Sequence, residues 1–248
     1  MKAEVVLTSS ESKRLIAKAC VQLDTVKAAL ARGRVIVTRG TTNAFVAEEL
    51  LGRPIDKPAF TAGYVDPQGF KVNPRMPREI VIEKGEVKAD LSLDDVLDKL
   101  GRDDVVFKGA NALGPDGVAG VLVAGATGGT LGKFLIIAMA RGVNVVVPVG
   151  LDKFIPASVL YVSRLLGMQR IDYAMGQKAS LVPVFGQVVT EIEAVRILAN
   201  ATAIPIASGG IGGAEGCVAL LIEGEDSEVK KSLEIIEKIK GEKPVGTP

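Results

Sequence analysis

The segment 40–43 contains Gly40, Thr41, Thr42 and Asn43, and it is the first part of the chain that could bind a ligand. It follows the apolar run RVIVTR and precedes the helical pattern AFVAEELLG. The N–H groups of a first helical turn lack partners within the helix, and the helix dipole adds positive charge, so a phosphate or carboxylate binds there readily. A Thr at this position is also a common helix cap, and the sequence leaves both interpretations open.

A second candidate is the segment KGANALGPDG at 108–117, which again follows an apolar run. Lys108 offers a mobile cation, Asn111 an amide, and Asp116 a carboxylate that could act as a general base. Pro-Asp-Gly is also an ordinary turn sequence, so Asp116 has a structural explanation as well.

A third candidate is AGATGGTLG at 124–132, whose Thr127, Gly128, Gly129 and Thr130 precede the helical pattern KFLIIAMARG. Glycines allow backbone N–H groups to approach an anion closely. The segment lacks both the G-K-[ST] of a P-loop and the G-x-G-x-x-G of dinucleotide sites. We therefore expect no nucleotide triphosphate, no dinucleotide and no other cofactor.

The residue types that are absent exclude further chemistry. The 248 residues contain no His, which excludes Ser-His-Asp and Cys-His catalytic units and imidazole metal sites. Cys20 and Cys217 stand far apart without C-x-x-C spacing. We expect two unpaired thiols, no metal site and a reducing, cytoplasmic location.

Charge and hydropathy limit the partners. Lys and Arg total 30 against 29 Asp and Glu, a net charge of +1, which predicts no nucleic-acid binding. The longer uncharged runs are interrupted by Gly or Pro, which predicts no membrane span. The apolar fraction of 48% predicts a folded core.

Alternating apolar and helical segments predict an α/β fold with a parallel sheet, in two domains. Residues 1–176 form a Rossmann-like α/β domain, with one helix over 10–32 and a Pro-rich excursion at 53–88. Residues 177–248 form a small domain in the order β-α-β-β-α, which is typical of ferredoxin-like folds. Its first strand covers 180–189, its hairpin turn covers 209–216, and Val218, Leu220 and Ile222 share one face.

Two stretches carry a family resemblance. RVIVTRGTTNAFVAEEL and DVVFKGANAL resemble segments of A-type ribose-5-phosphate isomerases, and 104–150 resembles the core of initiation-factor exchange subunits and methylthioribose-1-phosphate isomerases. The resemblance is to the phosphosugar isomerase and CoA-transferase-like superfamily. It implies a three-layer parallel sheet with helices on both faces and a ferredoxin-like lid. The chain departs from these isomerases in lacking their paired-Asp segment and their base Glu, and in carrying Asn111 in place of an Asp.

These features together predict binding of a small phosphorylated or anionic metabolite where the three turns meet, at the carboxyl edge of a parallel sheet. Sugar-phosphate isomerase chemistry would use Lys108 to polarise a carbonyl group and Asp116 as base. One alternative is a non-catalytic sensor or regulatory subunit. Another is CoA or acyl transfer, which needs Glu215 or Asp116 as a nucleophile. Assembly into a homo-oligomer is left open.

Overall fold

The structure is a computed structural model that describes residues 1–248, and it has a mixed α/β architecture. The strands are β1 (Lys2–Leu7), β2 (Arg34–Val37), β3 (Gly63–Asp66), β4 (Gly69–Val72), β5 (Ile80–Glu83), β6 (Glu86–Val87), β7 (Val105–Phe107), β8 (Ala112–Leu113), β9 (Ala119–Val123), β10 (Asn144–Pro148), β11 (Ser180–Val184), β12 (Gln187–Val189), β13 (Thr202–Ser208) and β14 (Val218–Glu223). The α-helices are α1 (Ser9–Cys20), α2 (Asp24–Arg32), α3 (Thr41–Leu51), α4 (Leu93–Val96), α5 (Gly129–Arg141), α6 (Val159–Leu165), α7 (Glu191–Ala199) and α8 (Asp226–Ile239).

The central sheet has six strands in the order β12-β10-β7-β2-β5-β6. Strands β2, β7, β10 and β12 are parallel, whereas β5 and β6 add an antiparallel edge. The parallel strands lie side by side in chain order. The segments that follow them therefore all leave from the same edge of the sheet.

Both faces of this sheet are covered. Val35 and Phe107 point into a core shared with α1, α3 and α7, while Ile36 and Val106 point into a second core shared with α4, α5 and β9. Alternate residues of a strand face opposite sides, so the strands of this sheet are apolar on both faces after their first residues. This explains the unbroken apolar runs of the sequence.

A smaller antiparallel sheet has the order β1-β14-β13. No strand is predicted for the first residues, yet β1 pairs with β14 along its whole length, from Lys2 opposite Glu223 to Leu7 opposite Val218. The predicted hairpin turn at 209–216 does join the adjacent strands β13 and β14. As predicted, Val218, Leu220 and Ile222 share the buried face.

Two predicted elements are divided in the structure. The predicted helix at 10–32 is two helices, α1 and α2. The predicted strand at 180–189 is also two strands, β11 and β12, which pair with β9 and with β10 of the central sheet. The strand expected to open the β-α-β-β-α unit therefore belongs to other sheets. β1 instead supplies the third strand of the small sheet, where it pairs with β14. The domain boundary at 177 stays a prediction.

Two further sequence expectations concern the pairing of the two thiols and membrane spans. Cys20 and Cys217 are both buried and unpaired. Among the eight helices, none combines the length and the apolar character that crossing a bilayer would demand.

Replacing Leu220 by Ala should lower the free energy of unfolding by about 2–5 kcal/mol, because the side chain is fully buried in the core between the small sheet and its helices. Leu221→Ala is the matched control, since Leu221 lies on the opposite, partly exposed face of β14. Urea denaturation would measure both. Equal losses for the two variants would contradict the assignment of the inner face.

Candidate functional site

A cavity of about 230 Å³ opens at the carboxyl edge of the parallel strands. It lies among the turns that follow β2, β7 and β9, beside the hairpin formed by β3 and β4. Eight of the residues singled out from the sequence line it: Gly40, Thr41, Thr42, Lys108, Asn111, Gly128, Gly129 and Thr130. Three turns that are far apart in the chain thus share one cavity.

Two other residues singled out from the sequence lie beside the cavity without lining it. Asn43 is fully buried, and its Nδ2 donates hydrogen bonds to the carbonyl oxygens of Thr38 (2.7 Å) and Phe107 (3.1 Å). Through Nδ2 it braces the ends of two parallel strands, while its Oδ1 is buried without a hydrogen-bond partner. Thr127 is exposed in the turn before α5.

Asp116 lies outside the cavity, in the tight turn between β8 and β9. Its Oδ1 accepts a hydrogen bond from the Val118 N–H (3.2 Å), and its Oδ2 accepts one from the Ser158 hydroxyl (2.9 Å). Glu215 is equally remote, because it is exposed in the β13–β14 turn and accepts from the Gly213 N–H (2.9 Å). The geometry supports neither carboxylate as a base or nucleophile in this cavity.

The N-terminus of α3 is open to a ligand. Gly40 occupies the N-cap position, and no side chain caps the helix. The alternative that Thr41 or Thr42 is a capping residue therefore does not hold here. The Thr42 side chain is 1% exposed, lines the cavity, and its hydroxyl has no hydrogen-bond partner. A buried hydroxyl without a partner is costly, so a ligand atom would satisfy it.

The N-terminus of α5 has the same character. Gly128, with φ of 84°, is the N-cap residue, and again no side chain caps the helix. The turn also requires glycine at position 132, where a Cβ would lie 1.9 Å from the Thr127 carbonyl oxygen. Two helices thus direct free N–H groups and positive dipole ends at one cavity.

Two lysines of the cavity wall have no carboxylate partner. The Lys108 Nζ donates to the Gly109 carbonyl (3.2 Å), the Lys153 Nζ donates to the Ala110 carbonyl (2.8 Å), and neither forms a salt bridge within 4 Å. Burial of the ammonium group, together with the charges of Lys153 and Arg39, lowers the pKa of Lys108 to about 8. Burial and the charge of Lys13 lower the pKa of Lys153 to about 8 as well.

Sequence reasoning missed Lys153 and Arg39. Lys153 follows β10, so its place after a third apolar parallel strand was the signal that could have found it. Arg39 forms an ion pair with the buried Glu79 and donates to the Thr130 Oγ1 (3.3 Å), which links the β2 turn to α5. Its Nε is buried and unpartnered.

A cluster of charged groups lies behind Lys153. The Ser9 hydroxyl donates to the Asp152 carboxylate (2.6 Å), and the Lys13 Nζ lies 3.5 Å from the same oxygen. Glu191, at the start of α7, accepts from the Leu151 N–H (2.9 Å), and burial raises the pKa of this carboxyl group. The cluster fixes the loop that carries Lys153.

The cavity is therefore cationic, with Arg39, Lys108 and Lys153 in its wall and no Asp or Glu among its lining residues. No group of three or more His, Cys, Asp or Glu side chains is placed to hold a metal ion. Comparisons with protein-family models, curated proteins and solved structures find no match to this chain. What the cavity binds is therefore inferred from its own residues.

Replacing Lys108 and Lys153 together by Met should raise the free energy of unfolding at pH 7, by about 1–3 kcal/mol. Both ammonium groups are disfavoured in the folded protein, because their pKa values of about 8 lie below the ordinary 10.5. Below pH 8 both lysines are charged in the folded and the unfolded state, so the burial of two ammonium charges lowers the free energy of unfolding. As the pH rises from 8 to 10.5 they lose protons first in the folded state, so the cost disappears.

Urea denaturation at pH 7 and pH 10 would measure this effect. The advantage of the double variant over wild type should shrink at pH 10. Lys238→Met is the control, because Lys238 is exposed on α8 and should show the same small difference at both pH values. If the double variant exceeded wild type in free energy of unfolding by the same amount at both pH values, the lowered pKa values of Lys108 and Lys153 would be contradicted.

Proposed function

We propose that the protein binds a small phosphorylated or otherwise anionic metabolite in this cavity. The observation that carries the proposal is the pair Lys108 and Lys153, two partly buried ammonium groups with no carboxylate partner, at the meeting point of two uncapped helix N-termini. Buried charges are normally paired. An anionic ligand would supply the missing negative charge.

The rest of the wall suits the remainder of such a ligand. A volume of about 230 Å³ lies below the usual range of ligand pockets, about 300–1,000 Å³, so the ligand is small. Phe70, Val72 and Leu131 provide apolar surface, while Thr42 and Asn111 offer hydrogen bonds to hydroxyl groups. A short sugar phosphate combines these features.

The same proposal extends to the fold. We propose that the chain shares the three-layer architecture of the phosphosugar isomerase and CoA-transferase-like superfamily, which its GTTN and KGAN turns resemble. Its parallel strands, covered on both faces and carrying these turns at their carboxyl ends, support this proposal. The two buried, unpaired thiols accord with a cytoplasmic location.

One observation favours a second candidate function over isomerase chemistry that uses a carboxylate base. No Asp or Glu lines the cavity, and Asp116 and Glu215 are held in turns elsewhere. The cavity therefore has no carboxylate that could act as the base in proton transfer or as the nucleophile in acyl transfer. A non-catalytic metabolite sensor or regulatory subunit is the alternative that keeps the cavity and needs no such group.

Thermal unfolding with inorganic phosphate, ribose 5-phosphate and ribose would test the binding proposal. We expect stabilisation by the two phosphate compounds and none by ribose, and a ligand present at 100 times its Kd adds about 2.7 kcal/mol to the stability of the fold. Stabilisation by ribose alone, or by none of the three, would contradict an anion site with this preference.

Lys153→Met should weaken binding of the phosphate compound by about 1.5–3 kcal/mol, the scale of a hydrogen bond to a charged group. Titration calorimetry would measure it. Lys238→Met removes an equal charge from the distant helix α8 and should leave the affinity unchanged. Equal affinities for both variants and wild type would place the ligand elsewhere.

A further inference from the structure

We propose that Lys108 is a nucleophilic amine that forms an imine with a carbonyl group of the bound anion. This inference rests on the proposed function, because the anion site is what would bring the carbonyl group to Lys108. It assigns the substrate class as a small phosphorylated or otherwise anionic aldehyde or ketone. It also gives the cavity a reaction that needs no carboxylate in its wall.

The surroundings of Lys108 favour a neutral amine. Its Nζ contacts the carbonyl of its own neighbour, Gly109, at 3.2 Å and pairs with no carboxylate. The charged groups that act on it are the cations Lys153 and Arg39, and the wall around it includes Val121, Val123 and Leu131. Low polarity and neighbouring positive charge both disfavour the ammonium form.

Lys153 and Arg39 are less suited to this role. Burial and Lys13 lower the pKa of Lys153 to about 8 as well, so geometry separates the two lysines. The Lys153 Nζ is held by a shorter hydrogen bond, 2.8 Å to the Ala110 carbonyl, than the 3.2 Å bond of Lys108. Asp152 and Glu191 also act on Lys153, whereas the charged groups that act on Lys108 are cations. Arg39 carries a guanidinium group in place of a primary amine and is paired with Glu79. In this arrangement Lys153, Arg39 and the two helix N-termini bind the anionic group, while Lys108 reacts with the carbonyl group.

The step balances without an oxidant or reductant. The lone pair of the neutral Lys108 Nζ attacks the carbonyl carbon, and the carbonyl oxygen becomes the hydroxyl of a carbinolamine. That hydroxyl leaves as water, with one proton taken from solvent, and a protonated imine remains. Burial and the two neighbouring cations lower the pKa of Lys108 to about 8, which raises the share of neutral amine at pH 7 above that of an ordinary lysine.

Pyridoxal 5'-phosphate is a suitable probe, because it is an aldehyde that carries a phosphate group. The full chain is incubated with it, any imine is reduced with sodium borohydride, and labelled peptides are mapped by mass spectrometry. We expect one equivalent of label at Lys108. Inorganic phosphate should compete with it, and the rate of imine formation should rise with pH to a half-maximum near pH 8.

Two variants sharpen the test. Lys108→Arg keeps the charge and should lose the label, and its thermal unfolding reports whether it folds. Lys230→Arg changes an exposed lysine of α8 and should keep full labelling at Lys108. Three results would each overturn the proposal: label on Lys153, label spread over exposed lysines, or as much label in a folded Lys108→Arg variant as in wild type.

The outcomes separate this inference from the binding proposal. Phosphate binding that depends on Lys153, with no label on Lys108 in wild type, would overturn the imine and leave the anion site standing. Equal labelling of Lys108 by pyridoxal and by pyridoxal 5'-phosphate, without competition by phosphate, would support the reactive amine and contradict the anion site.

Discussion

The burial of the parallel strands β2, β7 and β10 on both faces is the constraint on which the rest of the structure depends. Strands β2, β7 and β10 have no polar face beyond their first residues, so α1, α3 and α7 must cover one side and α4, α5 and β9 the other. Little of the sheet except the ends of its strands is left for polar contacts. Because the four parallel strands of the central sheet run in the same direction, their carboxyl ends form one edge, and the turns that follow β2 and β7 meet there. The third turn is predicted to follow a strand of the same sheet, but it follows β9 of the separate antiparallel sheet β11-β9-β8 and lines the cavity from there. The position of the cavity is thus a consequence of how the core is closed.

The unpaired polar and charged groups of the cavity lower the stability of the folded protein, and the surrounding structure must compensate for this loss. Lys108 lies in the field of Lys153 and Arg39, and neither lysine has a carboxylate partner within 4 Å. The hydroxyl of Thr42 is buried without a hydrogen bond. Such groups persist only when the structure around them is stable enough. Here Asn43 ties the ends of β2 and β7 together, Arg39 and Glu79 join the β2 turn to the chain before β5, and Asp152 with Lys13 fixes the loop after β10. The positive charge is therefore held on a rigid frame, which is the condition for binding an anion without a large rearrangement.

The sequence predicts those parts of the site that depend on local chemistry and misses those that depend on distant partners. The turns at Gly40 and Gly128 are predictable because glycine and threonine directly follow apolar runs and precede helical patterns. Asp116 misleads because it stands close to Lys108 in the chain, whereas the β8–β9 hairpin carries it away in space. Lys153 escapes notice because its loop, LDKF, looks like any surface turn until β10 is known to lie beside β7. The division of 180–189 into two strands likewise depends on β9 and β10, which no local pattern reveals.

The pairing of β1 with β14 also bears on how the chain reaches this structure. The N-terminal ammonium group of Met1 donates to the carbonyl oxygen of Gly224, 223 residues later, and β1 is hydrogen-bonded to β14 alone. During synthesis the first strand therefore emerges long before the strand that completes its sheet. Contacts between such distant parts of a chain slow folding, because a long loop must close before they form. Until β14 is made, Val5 and Leu7 have no sheet to join. β1 is therefore among the last strands to find its native partner, and it is open to mispairing in the meantime.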